Sequence, residues 1–253
     1  MPLLPGAEPC YRDGGPVGAL LCHGFTGSPQ ALRQWADYLG DHDITVALPL
    51  LPGHGTHWQD MALTRAEDWY AELDRAFDLL RTRCDAVFVM GLSMGGTLAL
   101  RLAQRHGSAV TGLVLVNPSL LDGRPLLRLL PVLQHIVPSA PGIASDIKKP
   151  GAREVAYDRV PLGSLRSLTR LWEQTRRDLP RVTQPVLVFR STEDHVVGPE
   201  SVRLLLARIA SPDVEHRLCP DSYHVATLDH DAERIFTGSL DFVHRLAPTV
   251  TGS

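Results

Sequence analysis

The sequence predicts a single α/β domain, with a mostly parallel central sheet covered by helices on both faces. Two observations lead to this fold class. Short β-rich apolar runs alternate with helical segments along the chain, and 253 residues with 44% hydrophobic content can bury a full core. Such alternation indicates βαβ units, in which crossover helices cover a parallel sheet. We therefore expect residues 1–253 to form a single domain.

Six strands are predicted from short apolar runs. They cover residues 17–22, 45–48, 86–90, 112–116, 186–189 and 215–219. Between the first two, Ser28 followed by a proline predicts the N-cap and first turn of a helix, and Gly40 predicts its end. Residues 64–67 (Thr-Arg-Ala-Glu) have the form of a capping box, which predicts a long amphipathic helix ending near Arg83.

The interval between the fourth and fifth predicted strands is much longer than a crossover needs. Residues 117–185 carry nine prolines, which predicts short and bent helices. Long insertions of this kind often form lids, so we expect a small helical cap at about residues 118–180, at the carboxyl edge of the sheet. Residues 126–137 are apolar on more than one helical face. They either only dock on the core, or dock with one face and line a pocket with another.

Charge and cysteine content exclude several classes of partner. Lys and Arg number 25 against 28 Asp and Glu, and no basic run is present that would bind nucleic acid or anionic lipid. The cysteines, which form no C-x-x-C pair and are typical of core residues in a reducing compartment, are Cys10, Cys22, Cys84 and Cys219. The N-terminus lacks the features of a secretory signal, and no apolar run approaches about 18 residues. We expect a cytoplasmic protein without an integral membrane segment, which binds a small and roughly neutral molecule.

Residues 91–95 read Gly-Leu-Ser-Met-Gly, at the point where a predicted strand passes into a predicted helix. Glycine for backbone freedom and serine as a helix cap would explain this pattern without any catalytic role. The pattern also fits a nucleophile elbow, in which a strained backbone exposes the serine hydroxyl and the neighbouring residues must be small. Ser93 is then a candidate nucleophile, provided that the chain supplies a base and an acid.

A hydrolytic serine needs an imidazole that accepts its proton and a carboxylate that orients the imidazole. On a parallel sheet these residues follow in the order serine, acid, histidine, each in a loop after a strand. Asp194 follows the strand predicted at 186–189 and is the preferred acid, with Glu193 beside it as the competitor.

Three histidines lie near the last predicted strand. His216 falls inside that strand and His230 at the start of the following helix, whereas His224 lies in the loop between them. Its place in a loop selects His224 as the base.

Other histidines have no comparable setting. His54 and His57 form an H-x-x-H pair, but a third ligand and the helical setting of a metal site are missing, so we interpret this segment as a turn near the rim of the site. His195, next to Asp194, is expected to shape the acid loop. We therefore expect neither a metal nor an organic cofactor.

An oxyanion hole requires main-chain N–H donors that face the developing negative charge. Met94, directly after the candidate nucleophile, lies at a predicted helix N-terminus and supplies one donor. The second is expected in the loop after the first predicted strand, where Gly24 lets the chain turn so that the amide of Phe25 faces the site.

The segments "HGFTGSP", "LPGHG", "GLSMGG" and "SYHVATLD", together with the Asp194 loop, resemble the α/β-hydrolase superfamily. More narrowly, they resemble small bacterial carboxylesterases and monoacylglycerol lipases, over most of the chain. The resemblance implies a triad of Ser93, Asp194 and His224. It also implies an oxyanion hole from the amides of Phe25 and Met94, and a small cap over an apolar pocket.

The resemblance further implies an activity. It predicts a serine hydrolase that cleaves carboxylic esters, such as monoacylglycerols and similar short- to medium-chain acyl esters, through an acyl-enzyme. In such lipases a cap glutamate contacts the glycerol head group, and Glu154 in "GAREVAYD" matches it. Thioesterases and other acyl hydrolases share the fold, and a hydrolase-like receptor with little turnover is the alternative outside enzymes. The cap could also contact lipid aggregates or a second subunit, so both a monomer and a homodimer stay open.

Overall fold

The computed structural model describes residues 2–123, 127, 129–143 and 145–247. Its strands are β1 (Cys10–Arg12), β2 (Val17–Cys22), β3 (Thr45–Leu48), β4 (Ala86–Leu92), β5 (Gly112–Val116), β6 (Ser139–Pro141), β7 (Arg159–Pro161), β8 (Val186–Ser191) and β9 (Val214–Cys219). Seven of them form one sheet in the order β1-β3-β2-β4-β5-β8-β9, and β6 pairs with β7. In the large sheet β1 is antiparallel to β3, and every other neighbouring pair is parallel.

The described residues form eight α-helices. They are α1 (Arg33–Asp41), α2 (Trp58–Ala62), α3 (Ala66–Arg81), α4 (Met94–His106), α5 (Leu130–Leu133), α6 (Leu162–Arg177), α7 (Glu200–Arg208) and α8 (Ala232–Leu246). Over the ranges that the structure describes, no helix has both the length and the apolar character needed to cross a membrane.

Strand β4 lies at the centre of the sheet, between β2 and β5, and every residue of it is buried. Its side chains are apolar without alternation, as expected for a strand that is covered on both faces. Helices α3, α4 and α7 pack on one face, and α1 and α8 on the other. The carboxyl ends of the parallel strands therefore meet at one edge of the sheet, where their loops carry the candidate site.

The six predicted strands all form, with ends that differ from the prediction by at most two residues. The fold class is therefore confirmed at the level of the sheet. Strand β1 was not predicted, because three residues at a sheet edge, with an exposed Tyr11 among them, show too little alternation to be recognised.

The ends of α1 differ from the prediction. The Ser28 side chain caps no helix, since Pro29–Leu32 first form a 3₁₀ turn that precedes α1. Helix α1 also continues through Gly40 to Asp41. The residue with a left-handed backbone that follows this helix is Asp43, with a φ of 61°.

Helix α3 begins one residue later than the predicted capping box and ends earlier, at Arg81. The Thr64 hydroxyl accepts a hydrogen bond from the Trp69 indole, 3.0 Å away. The carboxylate of Asp68 instead accepts one from the main-chain N–H of Arg65, at 2.9 Å. The start of α3 is therefore stabilised by a side chain one position further along than expected.

Residues 118–180, which we call the cap segment, lie between β5 and β8. Their described part holds the short helix α5, the hairpin-like pair β6 and β7, and helix α6. The prediction of short helices is wrong for α6, which has 16 residues. Prolines lie only at its two sides, at Pro161 and Pro180, so the stretch between them is free to form a regular helix. Helix α6 packs against α3 and α4, which attaches the cap segment to the sheet layer.

Candidate active site

The turn between β4 and α4 consists of Ser93 alone. Its φ of 56° and ψ of −117° are unfavourable for a residue with a side chain, as the nucleophile elbow requires. A Cβ atom on Gly91 would collide with the main chain of Gly95, and a Cβ on Gly95 would collide with the carbonyl of Cys22. The glycines therefore let helix α4 approach strands β2 and β4 closely enough to hold Ser93 in this conformation. Its main-chain N–H donates to the carbonyl of Val116, at 3.0 Å.

His224 and Asp194 form a buried pair in the loops after β9 and β8. His224 Nδ1 lies 2.8 Å from Asp194 Oδ2, and both side chains are more than nine-tenths buried. Asp194 Oδ1 accepts hydrogen bonds from the main-chain N–H groups of Val196 and Val197, at 2.8 and 2.7 Å. The carboxylate is thereby satisfied, and a proton on Nδ1 leaves Nε2 of His224 free to accept one.

Electrostatics favour an ion pair between these two residues once His224 is protonated. Burial alone would lower the pKa of His224, but the hydrogen bond and charge of Asp194, followed by the charges of Glu154 and Asp146, raise it. Burial alone would raise the pKa of Asp194, but His224 and the two amides lower it. A protonated imidazole is therefore stabilised at this position.

Ser93 and His224 line the same cavity. The Ser93 hydroxyl makes no hydrogen bond with any residue in the described ranges. Such hydrogen bonds are often long or poorly aligned in a free enzyme and form fully only with substrate bound. The structure thus brings the three candidate residues to one edge of the sheet, with the acid and base already paired.

Two main-chain N–H groups beside Ser93 have no acceptor among the described residues. They belong to Phe25 and Met94, which line the cavity together with Gly24. Met94 is the first residue of α4, so its N–H has no partner within the helix. A Cβ atom on Gly24 would lie 3.5 Å from the Ser93 Cβ, which shows how closely the loop approaches the serine. Main-chain N–H groups without an acceptor can donate hydrogen bonds to an anion, and these two belong to residues that line the cavity with Ser93.

Below this loop lie two buried histidines whose position the sequence did not predict. His23 Nδ1 lies 3.0 Å from the carbonyl of Gly24, and its Nε2 accepts a hydrogen bond from the N–H of Leu51, at 3.2 Å. The His54 ring lies edge-on to it, with centroids 5.0 Å apart, and also contacts Trp69. Burial lowers the pKa of His23 to about 3 and that of His54 to about 4, so both are neutral. They support the loop by hydrogen bonding and packing.

The two histidines of the H-x-x-H pair lie in different environments and do not form a common site. His54 is buried, which corrects its expected place at the rim, and His57 is exposed. Across the residues that the structure covers, no group of three or more metal-ligating side chains occurs.

The competing candidates lie away from the cavity. Glu193 is exposed, and its nearest charged partner is His195 Nε2, at 3.6 Å. His216 lies in β9 and His230 on the surface before α8. Neither lines the cavity that contains Ser93.

The cavity has a volume of about 630 Å³ and lies between the sheet edge and the cap segment. Most of its wall is apolar and comes from the cap segment: Leu127, Leu130, Leu133, Val137, Ile143, Val160, Leu165, Leu168 and Trp172. In the stretch 126–137, the described residues on one side line the cavity, whereas Val132 and Ile136 are exposed. The stretch therefore lines the pocket with one face, as the second alternative expects, but its other apolar side chains are exposed and do not dock on the core.

Glu154 supplies a carboxylate to the cavity wall. Its Oε1 lies 2.6 Å from the position that a Cβ atom on Gly27 would take, so the carboxylate lies close to the main chain at Gly27. Burial raises the pKa of Glu154, and the nearby charge of His224 opposes this effect. Its main-chain N–H donates to the Ser145 hydroxyl, at 3.0 Å, which fixes the segment that carries it.

Comparison with known proteins places this geometry in a family. Residues 18–231 match the family described as Serine aminopeptidase, S33. The chain belongs to this family. It is therefore an α/β-hydrolase, and the match covers every candidate residue from Phe25 to His224.

Curated relatives of this α/β-hydrolase cover nearly its full length. A thermostable monoacylglycerol lipase of Bacillus sp. (strain H-257) is 43% identical over 246 residues, which is 95% of this chain and 96% of the relative. A carboxylesterase of Bacillus subtilis (strain 168) is 24% identical over 94% of this chain and 97% of the relative.

Solved structures agree with this placement. One, from work on LipS and LipT, two metagenome-derived lipolytic enzymes, has a TM-score of 0.94 and 40% identity, over 96% of this α/β-hydrolase and 100% of that chain. A monoacylglycerol lipase of Paleococcus ferrophilus shares the fold with a TM-score of 0.78 at 19% identity, over 98% of this chain and 100% of that one.

Proposed function

We propose that this α/β-hydrolase cleaves carboxylic esters through a Ser93–His224–Asp194 triad, and that its substrates are monoacylglycerols or similar short- to medium-chain acyl esters. The observation that carries the proposal is the buried His224–Asp194 pair, which opens with Ser93 onto one largely apolar cavity. Similarity to a monoacylglycerol lipase at 43% identity supports the substrate class.

The mechanism follows from the protonation states. Ser93 Oγ attacks the ester carbonyl as its proton passes to Nε2 of His224, while Asp194 holds the resulting imidazolium. The carbonyl oxygen becomes an anion and accepts hydrogen bonds from the amides of Phe25 and Met94, each of which contributes roughly 3 kcal/mol. His224 then protonates the leaving alcohol, and the same cycle with water releases the acid. No metal or organic cofactor takes part in any step.

Substrate recognition is divided between the apolar wall and one carboxylate. The apolar side chains of the cap segment are suited to an acyl chain. The Glu154 carboxylate lines the cavity, and its acceptor oxygens can receive hydrogen bonds from the hydroxyls of a glycerol head group. We therefore assign Glu154 to binding of the alcohol part of the substrate.

The proposal also includes the domain organisation of the chain. Residues 1–253 form one domain, into which residues 118–180 are inserted as a cap over the cavity. The exposed side chains of Val132 and Ile136 give this cap an apolar outer surface for weak contact with lipid aggregates or with a second copy in a homodimer. A cytoplasmic location fits the four cysteines, all of which are free.

The test compares monoacylglycerols with methyl esters of the same acyl chains, using kcat/KM. We expect higher values for the monoacylglycerols, and we expect Glu154→Gln to remove that difference while activity on methyl esters stays within a few fold. Ser93→Ala should abolish turnover of both series. A chain that reacts with a fluorophosphonate but turns over no ester or thioester would act as a receptor and overturn the proposal. Faster turnover of acyl thioesters than of esters would show that the enzyme is a thioesterase instead.

A further inference from the structure

One carboxylate of the cap segment contacts the main chain of both loops that carry the acid and the base. Asp146 Oδ2 accepts hydrogen bonds from the N–H groups of His195, at 3.2 Å, and His224, at 3.1 Å. Its Oδ1 lies 2.8 Å from His195 Nδ1, and its own carbonyl accepts a bond from the N–H of Val225, at 3.1 Å. Asp146 therefore joins the loop after Asp194 to the loop of the base.

The Asp146 carboxylate is largely buried, and its hydrogen-bonding capacity is used. The Asp146 side chain is only 10% exposed, and both of its oxygens accept hydrogen bonds. A carboxylate at such a place requires these donors, and the amides in turn require an acceptor. If the carboxylate were removed, the N–H groups of His195 and His224 would lose their partner.

The main chain of His224 is held at both of its polar atoms. Its carbonyl accepts a hydrogen bond from Asn117 Nδ2, at 2.8 Å, at the end of β5. Its N–H donates to Asp146 from the cap segment. Among the described residues, the imidazole itself is hydrogen-bonded only to the side chain of Asp194. The sheet thus fixes one side of this residue and the cap segment fixes the other.

We propose that Asp146 is a positioning residue for catalysis. It holds His224 at the correct distance from Ser93 and Asp194, by fixing the two loops through its acceptor oxygens and not through its negative charge. This inference rests on the triad proposed above. The cap segment is then part of what assembles the catalytic residues, in addition to covering the substrate.

Asp229 offers a matched comparison. Its carboxylate also accepts main-chain hydrogen bonds between the cap segment and the loop of the base: from Lys148 at 2.6 Å, Lys149 at 2.9 Å, Tyr223 at 2.9 Å and His230 at 2.8 Å. It is 2% exposed and bonds to neither His195 nor His224. Removing Asp229 loosens the same attachment but leaves the N–H groups of His195 and His224 bonded to Asp146.

The experiment compares Asp146→Ala, Asp146→Asn and Asp229→Ala on a short p-nitrophenyl ester, with kcat, KM and thermal unfolding measured for each. In Asp146→Asn the amide oxygen can accept from both N–H groups, and the amide NH₂ can donate to His195 in its other tautomer. We expect Asp146→Ala to lose roughly 10- to 100-fold in kcat, as small misplacements of catalytic groups do, with KM within about threefold. Asp146→Asn should stay within about fivefold of the wild type.

Asp229→Ala should lower the unfolding temperature as much as Asp146→Ala does but lose less than about fivefold in kcat. An Asp146→Asn variant as slow as Asp146→Ala would show that charge matters and would overturn the proposal, as would equal kcat losses for Asp146→Ala and Asp229→Ala. If Asp146→Ala fails to fold, the asparagine variant still decides, because the proposal requires it to fold and turn over. Wild type and Ser93→Ala are measured beside them. Turnover by Ser93→Ala would contradict the proposed triad itself. An inactive Ser93→Ala with an unaffected Asp146→Ala would contradict only the role of Asp146.

Discussion

Ser93 and Glu154 face the same cavity, but they are held there in different ways. Ser93 is fixed by a strained backbone between β4 and α4, at the centre of a core that is buried on both faces. Glu154 lies in an irregular part of the cap segment, where its main-chain N–H donates a hydrogen bond to the side-chain hydroxyl of Ser145. The sheet side of the site therefore depends on packing, and the cap side on individual polar contacts.

The largest effect is expected from Asp194→Asn, which tests the sheet side. An asparagine amide would donate to His224 Nδ1 and stabilise the wrong tautomer, so kcat should fall roughly 10⁴-fold with the fold intact. Steady-state kinetics on a soluble ester, with circular dichroism as the check on folding, measure this. Glu193→Gln is the control and should keep wild-type kcat, since Glu193 is exposed. A loss below tenfold in Asp194→Asn would assign the acid elsewhere.

A glycine-to-alanine pair compares the packing of the two sides directly. A Cβ on Gly95 would collide with the Cys22 carbonyl, so Gly95→Ala should lower the free energy of unfolding by more than about 3 kcal/mol. Gly163, in α6 of the cap segment, has open space around it, so Gly163→Ala should raise the same quantity by about 0.5 kcal/mol. Urea denaturation measures both. Effects of the same sign would contradict the contrast between a packed and an open side.

Tyr157→Phe tests the polar contacts of the cap side. The Tyr157 hydroxyl donates to the carbonyl of Gly53 and accepts from the N–H of Thr56, both at 2.9 Å. Its loss should lower the free energy of unfolding by about 1–2 kcal/mol. Tyr38→Phe is the matched control, because no described residue hydrogen bonds to the Tyr38 hydroxyl, and it should change stability by less than about 0.5 kcal/mol. Equal losses in the two variants would mean that the Tyr157 bonds do not attach the cap segment.

The smallest expected effect is a shift in pH dependence. His224 must be neutral to accept the serine proton, so kcat/KM falls as the pH drops through its pKa. Because that pKa is raised, the inflection should lie above the usual imidazole value of about 6.5. Glu154 is one cause of the increase, so Glu154→Gln should move the inflection to lower pH. The pH profile of kcat/KM on a neutral short ester measures the inflection in the wild type and in the variant. An unchanged inflection in the variant would show that the charge of Glu154 does not affect the pKa of His224.

The same contrast explains what could be predicted from the sequence. The elbow around Ser93 requires glycines at fixed spacing, and the loops after β8 and β9 follow recognisable apolar runs, so these parts leave local patterns. Asp146 leaves none, since an aspartate in a coil is ordinary and its partners His195 and His224 lie far away in the sequence. His54 leaves no local pattern for a similar reason, since only the folded chain places it against the His23 ring, 31 residues away in the sequence.

The two aspartates that join the cap segment to the loop of the base bind main-chain amides, and this has a consequence for engineering. Main-chain amides are present whatever the side chains are. Chimaeras that exchange the outer wall of the cap with that of a relative should therefore tolerate wide variation in the side chains of that wall. The condition is that residues 145–149 are kept unchanged. Crossover points outside that short stretch would allow a new acyl preference to be grafted without rebuilding the catalytic machinery.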